Sequence, residues 1–203
     1  MLGFSGAQRT GKSTLAKRAA ELFERPYLDM DISSVFRKTG FDPKADYSFA
    51  DRLDLQSTIL AYADDLWFHA PPDSVTDRTP LDFAAYLLAD VQRQNTSIED
   101  AERYMRFERR CMEVTNRYFS DVIVVQPGIP LVEKEGGAPA NPAHMAHINY
   151  LIRGMGASEL LETQVVLLAK SLIDFDARVQ TVVKIIESME NKAIKQAEAA
   201  FIH

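Results

Sequence analysis

Residues Gly6-Ala7-Gln8-Arg9-Thr10-Gly11-Lys12-Ser13, followed by Thr14, fit the spacing glycine, four residues, glycine-lysine-serine. Holding a polyphosphate is the chemistry that needs this pattern. Gly6 and Gly11 leave room for phosphate to approach the backbone and permit dihedrals closed to other residues. Successive N–H groups over Gln8, Arg9, Thr10 and Gly11 then form a concave anion nest at the start of a helix. Lys12 reaches the β and γ phosphates, and the Ser13 hydroxyl is placed to bind the magnesium that bridges their oxygens. A match of this length also arises by chance, so the context matters. Leu2 and Phe4 alternate with small residues as a strand before the loop, and a helical stripe of Leu15, Ala19 and Leu22 follows it.

A second constellation is Asp77-Arg78, directly after the short strand Ser74-Val75-Thr76. Ligands of parallel sheets sit beyond the carboxyl ends of the strands. There Asp77 faces the magnesium and Arg78 holds an anionic group bidentately. The plainer alternative is a turn acid and a surface ion pair. A third pair, Asp29 and Asp31, follows the strand candidate Pro26 to Met30. Asp31 also precedes a short helix and suits its cap.

The elements that must position these residues alternate. Lys12 to Arg25 reads as a helix, and Asp51 to Phe68 as an amphipathic one with Leu55, Ile59, Tyr62 and Leu66 in register. Thr79-Pro80-Leu81-Asp82 opens another: Thr79 as cap, Pro80 at the first position, Asp82 as the capping-box acid. Ser97 to Phe119 is a further helix, and Asp121 to Val125 is the continuous apolar run of a buried parallel strand. Gln126 to Pro142 holds four of the nine prolines and three of the nine glycines, which predicts a long, lid-like loop. Asn141-Pro142 starts a short helix that Gly154 is expected to stop. Gln164 to Ala169 is the last strand, and a terminal helix from Asp174 to about Ala200 carries Val179, Val182, Ile186 and Met189 on one face. The pattern predicts an α/β three-layer sandwich, a mostly parallel sheet with helices on both faces.

The 203 residues are 46% hydrophobic, 26% charged and 9% aromatic, which excludes a disordered or fibrous chain. They suit one domain, with a mobile segment at about 126–156 and a helical acceptor-binding segment at about 31–70. The net charge of −6 argues against a dedicated nucleic-acid binder. A single cysteine, Cys111, forbids an internal disulfide. The first residues lack a basic start and a long apolar run, so no signal peptide and no membrane partner are expected; the localisation read from this is cytoplasmic.

Through these motifs the chain resembles the P-loop kinases of small metabolites. The resemblance rests on Gly-Ala-Gln-Arg-Thr-Gly-Lys-Ser-Thr at the N-terminus and on Thr-Asp-Arg-Thr-Pro-Leu-Asp-Phe later. It points to nucleoside and nucleotide monophosphate kinases, the ATP-binding domain of bifunctional nicotinamide riboside kinases, and related bacteriophage proteins. It implies a P-loop NTPase fold, ATP and Mg²⁺ as cofactors, and Asp77-Arg78 beside the phosphates. Lys12, Asp77 and Arg78 are the implied catalytic groups, with Ser13 and Asp77 on the metal. Asp29 is the implied acceptor of the nucleophile's proton.

Such kinases also have a lid whose arginines close on the transferring group. Between Glu133 and Arg153 this chain offers one arginine, Arg153, and one lysine, Lys134. Arg153 equally suits a helix C-terminus, where the dipole favours a cation. The acceptor implied is a nucleoside or nucleotide. If the chain is phage-encoded, it works in the host cytoplasm.

Two rivals follow from the same residues. One is a phage kinase acting on hydroxymethylated pyrimidines in DNA, with Arg103, Arg106, Arg110 and Arg117 as a DNA-facing stripe. The pairs Glu99–Arg103, Glu102–Arg106 and Glu113–Arg117, each spaced i, i+4, instead predict a self-paired solvated face. The other rival is a switch ATPase with Gln8 or Gln126 orienting water.

Overall fold

The apolar run Asp121–Val125 becomes strand β4, and its alternate side chains feed two different cores. Val122 and Val124 face one, Ile123 and Val125 the other, and all four are buried. That double burial makes a parallel strand apolar throughout. The computed structural model describes residues 1–42, 45–91, 96–130 and 141–201.

Five strands form the sheet: β1 (Leu2–Ser5), β2 (Tyr27–Leu28), β3 (Val75–Thr76), β4 (Asp121–Val125) and β5 (Gln164–Leu168). Their order is β2-β3-β1-β4-β5, and every pairing is parallel. Helices α1 (Lys12–Leu22) and α7 (Phe175–Phe201) contribute to the core on one face, through Leu15, Ala19, Val182 and Ile186. Helices α2 (Ile32–Thr39), α3 (Phe49–His69), α4 (Pro80–Ala89), α5 (Ile98–Tyr118) and α6 (Pro142–Met155) supply the core on the other. The expected three-layer α/β sandwich is therefore the observed one, with the sheet fully parallel rather than mostly so. Among the described residues, no helix is long and apolar enough to cross a membrane.

Three local expectations change. Helix α1 ends at Leu22 rather than Arg25. Glu24 takes a left-handed φ of 50°, which lets the Arg25 N–H reach back to the Ala20 carbonyl before Pro26. Helix α6 runs through Gly154 to Met155. The cost of a helical glycine is only about 1 kcal/mol, and Met155 anchors the last turn in the core. The arginines of α5 pair mainly across to α3 instead of along their own helix. Arg103 bonds Asp54, while Arg110 and Arg117 converge on Asp64. Carboxylates fixed by helix packing lie closer than the flexible glutamates one turn away.

Trp67 is core, packed among Phe83, Tyr118 and Phe119, whereas Phe68 is 70% exposed. Residues 131–140 of the expected lid-like segment, with Glu133 and Lys134, lie outside the described residues.

Candidate functional site

The loop from Gly6 to Gly11 joins the carboxyl end of β1 to the first residue of α1. Its shape depends on left-handed backbone: Arg9 has φ 62° and Gly11 φ 83°. A left-handed arginine costs roughly 1–2 kcal/mol, and strain of this kind collects at ligand clamps. The Thr10 hydroxyl donates to the Ala7 carbonyl at 3.0 Å and closes the loop on itself. Gly11 is the N-cap of α1 and offers no capping side chain. The first N–H groups of α1 thus remain for a ligand. They border a cavity of about 350 Å³ lined by Arg9, Gly11, Lys12, Ser13, Thr14, Ile129 and Pro130. The Ser13 and Thr14 side chains are exposed and the Lys12 side chain is buried.

Two loop amides point away from that cavity. The Gly6 N–H donates to Asp82 Oδ1 at 2.9 Å, and the Gln8 N–H donates to the Tyr86 hydroxyl at 2.8 Å. Asp82 and Tyr86 are one turn apart on α4, so this helix grips the loop from beneath. The backbone that borders the cavity is that of Arg9 and of Gly11 to Thr14. Gly6 shapes the loop instead: an added Cβ would lie 2.5 Å from the Val125 carbonyl oxygen, at φ 148°. Gly6→Ala is expected to lower thermal stability and to weaken nucleotide binding at least tenfold. A melting curve together with an ATP titration checks both, and wild-type binding would remove Gly6 from the site.

Asp82 was legible in the sequence only as a capping-box acid. It does accept the Thr79 N–H at 2.9 Å. It is also fully buried, at 0% exposure. Burial pushes its carboxyl up; the charges of Lys12 and Arg78, and the Gly6 and Thr79 amides, pull it back. Burial lowers the Lys12 pKa, while Asp82 and Asp77 oppose that fall and Arg78 adds to it. Lys12, Asp77, Arg78 and Asp82 thus form one electrostatic cluster at the base of the loop.

Strand register explains how Asp29 and Asp77 meet. Leu28 pairs with Thr76 across β2 and β3, so the residues that follow, Asp29 and Asp77, leave the sheet side by side. Asp77 is buried and Asp29 exposed. The Tyr27 phenol lies beside both; burial first, then these two carboxylates, push its pKa up. Arg78 is half-buried. Asp31 caps α2 through the Ser34 N–H and also holds Arg37, which places it outside the site.

Arg153 is not among the residues that line the cavity. It is exposed near the end of α6, its guanidinium 6.0 Å from the Tyr150 ring.

One cation that sequence reasoning missed lies behind the loop. Arg178 of α7 is 1% exposed and donates to the Thr10 carbonyl at 2.8 Å. The signal was present: Arg178, Val182 and Ile186 are spaced i, i+4, i+8, which puts an arginine in line with an apolar stripe.

No family model matches the sequence, and no curated protein matches it. Solved structures do. A deoxyadenosine kinase from M. mycoides with the products dCMP and dCDP superposes with a TM-score of 0.66 at 14% identity, covering 93% of this chain and 98% of that one. The same enzyme with bound dCTP gives 0.61, also at 14%, over 92% and 98%. NadR in complex with NR gives 0.60 at 13%, covering 93% of this chain and 50% of that protein. At such identities the likeness establishes the fold alone, the one these solved structures share with the chain.

Proposed function

We propose that the chain is an ATP- and Mg²⁺-dependent kinase that transfers the γ-phosphoryl group to a hydroxyl of a nucleoside or nucleotide. The observation that carries this reading is the uncapped start of α1, open to a cavity, with buried Lys12 at its base and Asp77-Arg78 one strand away. The structural neighbours, a deoxyadenosine kinase and NadR, support it and favour a nucleoside acceptor.

In this reading the chain works as one kinase domain, and the backbone from Arg9 to Thr14 holds the phosphates. Ser13 and Asp77 supply the oxygen ligands that suit Mg²⁺. The metal, when bound, neutralises charge on the β and γ oxygens. Lys12 and Arg78 stabilise the charge that develops on the transferring group. Asp29 takes the proton of the attacking hydroxyl as the acceptor oxygen bonds to phosphorus and the bond to the β-phosphate oxygen breaks, releasing ADP. Helices α2 and α3, within residues 31–70, form the acceptor side. Arg153 is not required, because Arg78 already supplies a cation.

The rivals draw less support from their residues. Three of the four arginines of the DNA-facing stripe are engaged by Asp54 and Asp64. The Gln126 amide donates to the Leu168 carbonyl from a buried position, so it is not aimed at water.

The test is transfer of label from [γ-³²P]ATP with Mg²⁺. The acceptors offered are nucleosides, nucleoside monophosphates, nicotinamide riboside and hydroxymethyluracil-containing DNA, with water as control. Label on one nucleoside or nucleotide is the expected result. Label on DNA alone, or phosphate released to water at a rate no acceptor changes, would overturn it.

A further inference from the structure

Arg178 is a buried guanidinium bonded to carbonyl oxygens from three separate parts of the chain. It donates to Leu172 in the turn after β5, to Thr10 in the phosphate loop at 2.8 Å, and to Gln126 at the end of β4 at 3.4 Å. Among the described residues no carboxylate lies within ion-pair distance of it. Burying a cation without a counter-charge is costly, and such charges are ordinarily paired. Burial accordingly lowers its pKa.

The surrounding chain is built to fit this group. An added Cβ at Gly128 would meet the Lys170 carbonyl oxygen at 2.3 Å and Arg178 Nη2 at 3.0 Å. One at Gly11 would sit 3.9 Å from Arg178 Nη1. Ile129 then returns over Gly11, close to where the cavity opens. The guanidinium therefore ties the loop after β4 and the turn after β5 to the back of the phosphate loop.

The bond to Thr10 has a directional consequence. A trans peptide is planar, with its C=O and the following N–H on opposite sides. Holding the Thr10 carbonyl toward α7 turns the Gly11 N–H the other way, toward the phosphate side of the loop. Gly11, at φ 83°, is free to accept that orientation. Replacing Arg178 releases the peptide plane and removes a positive charge from behind the nest.

We infer that Arg178 is a positioning residue for the triphosphate: it sets the Gly11 amide toward the phosphates, and a bound polyphosphate supplies the counter-charge that no carboxylate of the described residues gives its guanidinium. This inference rests on the kinase reading above and adds to it a specific dependence of nucleotide affinity on α7.

The experiment compares wild type, Arg178→Met, Arg178→Lys and Lys12→Ala. Calorimetry would follow binding of Mg²⁺·ATP and of inorganic tripolyphosphate, well below each protein's melting temperature. Arg178→Met is expected to weaken both ligands about tenfold or more, the scale of a lost charge-assisted hydrogen bond. Arg178→Lys should recover part of that loss, because an ammonium restores the charge but reaches fewer of the three carbonyls.

A purely structural role would lower the melting temperature and leave both affinities within twofold in the folded variant; that result overturns the inference. If Arg178→Met does not fold, Arg178→Lys decides alone: affinities within twofold of wild type overturn the inference, and a larger loss supports it. The kinase reading fails separately, when wild type binds neither ligand or Lys12→Ala binds ATP as wild type does.

Discussion

Lys12→Ala is expected to lower phosphoryl transfer by at least about 10²–10³-fold, the scale seen when one donor to a developing oxyanion is removed. The ammonium sits at the base of the phosphate cavity, 5% exposed, with Asp82 and Asp77 as its opposing charges. The fold should survive, because Asp82 keeps its bonds from the Gly6 and Thr79 amides and Arg78 remains as a balancing charge. Turnover of labelled ATP and a thermal melt check the two halves. Wild-type turnover would remove the phosphate-loop reading altogether.

The same group sets an alkaline limit. Burial holds the Lys12 pKa below its ordinary value. Capture of ATP by the free enzyme needs the charged form, so kcat/KM for ATP should fall as pH rises through a value below the usual lysine range. In Lys12→Arg that limb should vanish, since a guanidinium stays charged.

Asp82→Asn is the substitution with the largest expected effect on stability. The carboxylate accepts two backbone N–H groups, one on each oxygen, and is fully buried beside Lys12. An asparagine offers one oxygen and turns its NH₂ against the second donor. It also removes the buried negative charge that acts most strongly on Lys12. Leaving a buried N–H donor unsatisfied costs about 1–3 kcal/mol, which in a chain of this length is roughly a 5 °C fall in melting temperature. Nucleotide affinity should fall with it, because the Gly6 amide loses its anchor.

The double variant Lys12→Met with Asp82→Asn separates pairing from packing. It should recover part of the lost stability, since no unpaired charge remains, and none of the activity. A melting temperature for Asp82→Asn within about 2 °C of wild type would dismiss the role given to this carboxylate.

Much of this molecule is legible in local pattern. The phosphate loop, the apolar run of β4, the Thr79-Pro80 start of α4 and the alternation of strands with helices are all short-range signals. Each follows from a local requirement: room for an anion, burial on both faces, or a preset φ at a helix start. Asp29 and Asp77 were likewise placed near strand ends by pattern alone.

What pattern did not reach depends on distance along the chain. Asp82 meets the Gly6 amide across 76 residues, and Arg178 meets Thr10 across 168. Each looks ordinary in its own helix, one as a cap and the other as a charge beside an apolar stripe. Arg103, Arg110 and Arg117 had acids nearby on their own helix, yet packing brought Asp54 and Asp64 of α3 to them. The sequence by itself determined the loop from Gly6 to Gly11 between a strand and a helix, and a mostly parallel sheet, because those depend on neighbours in the chain. Tertiary structure decided which loop amides are held by α4 and which charges stand behind the loop, because a side chain's partner there is set by how helices pack on the sheet.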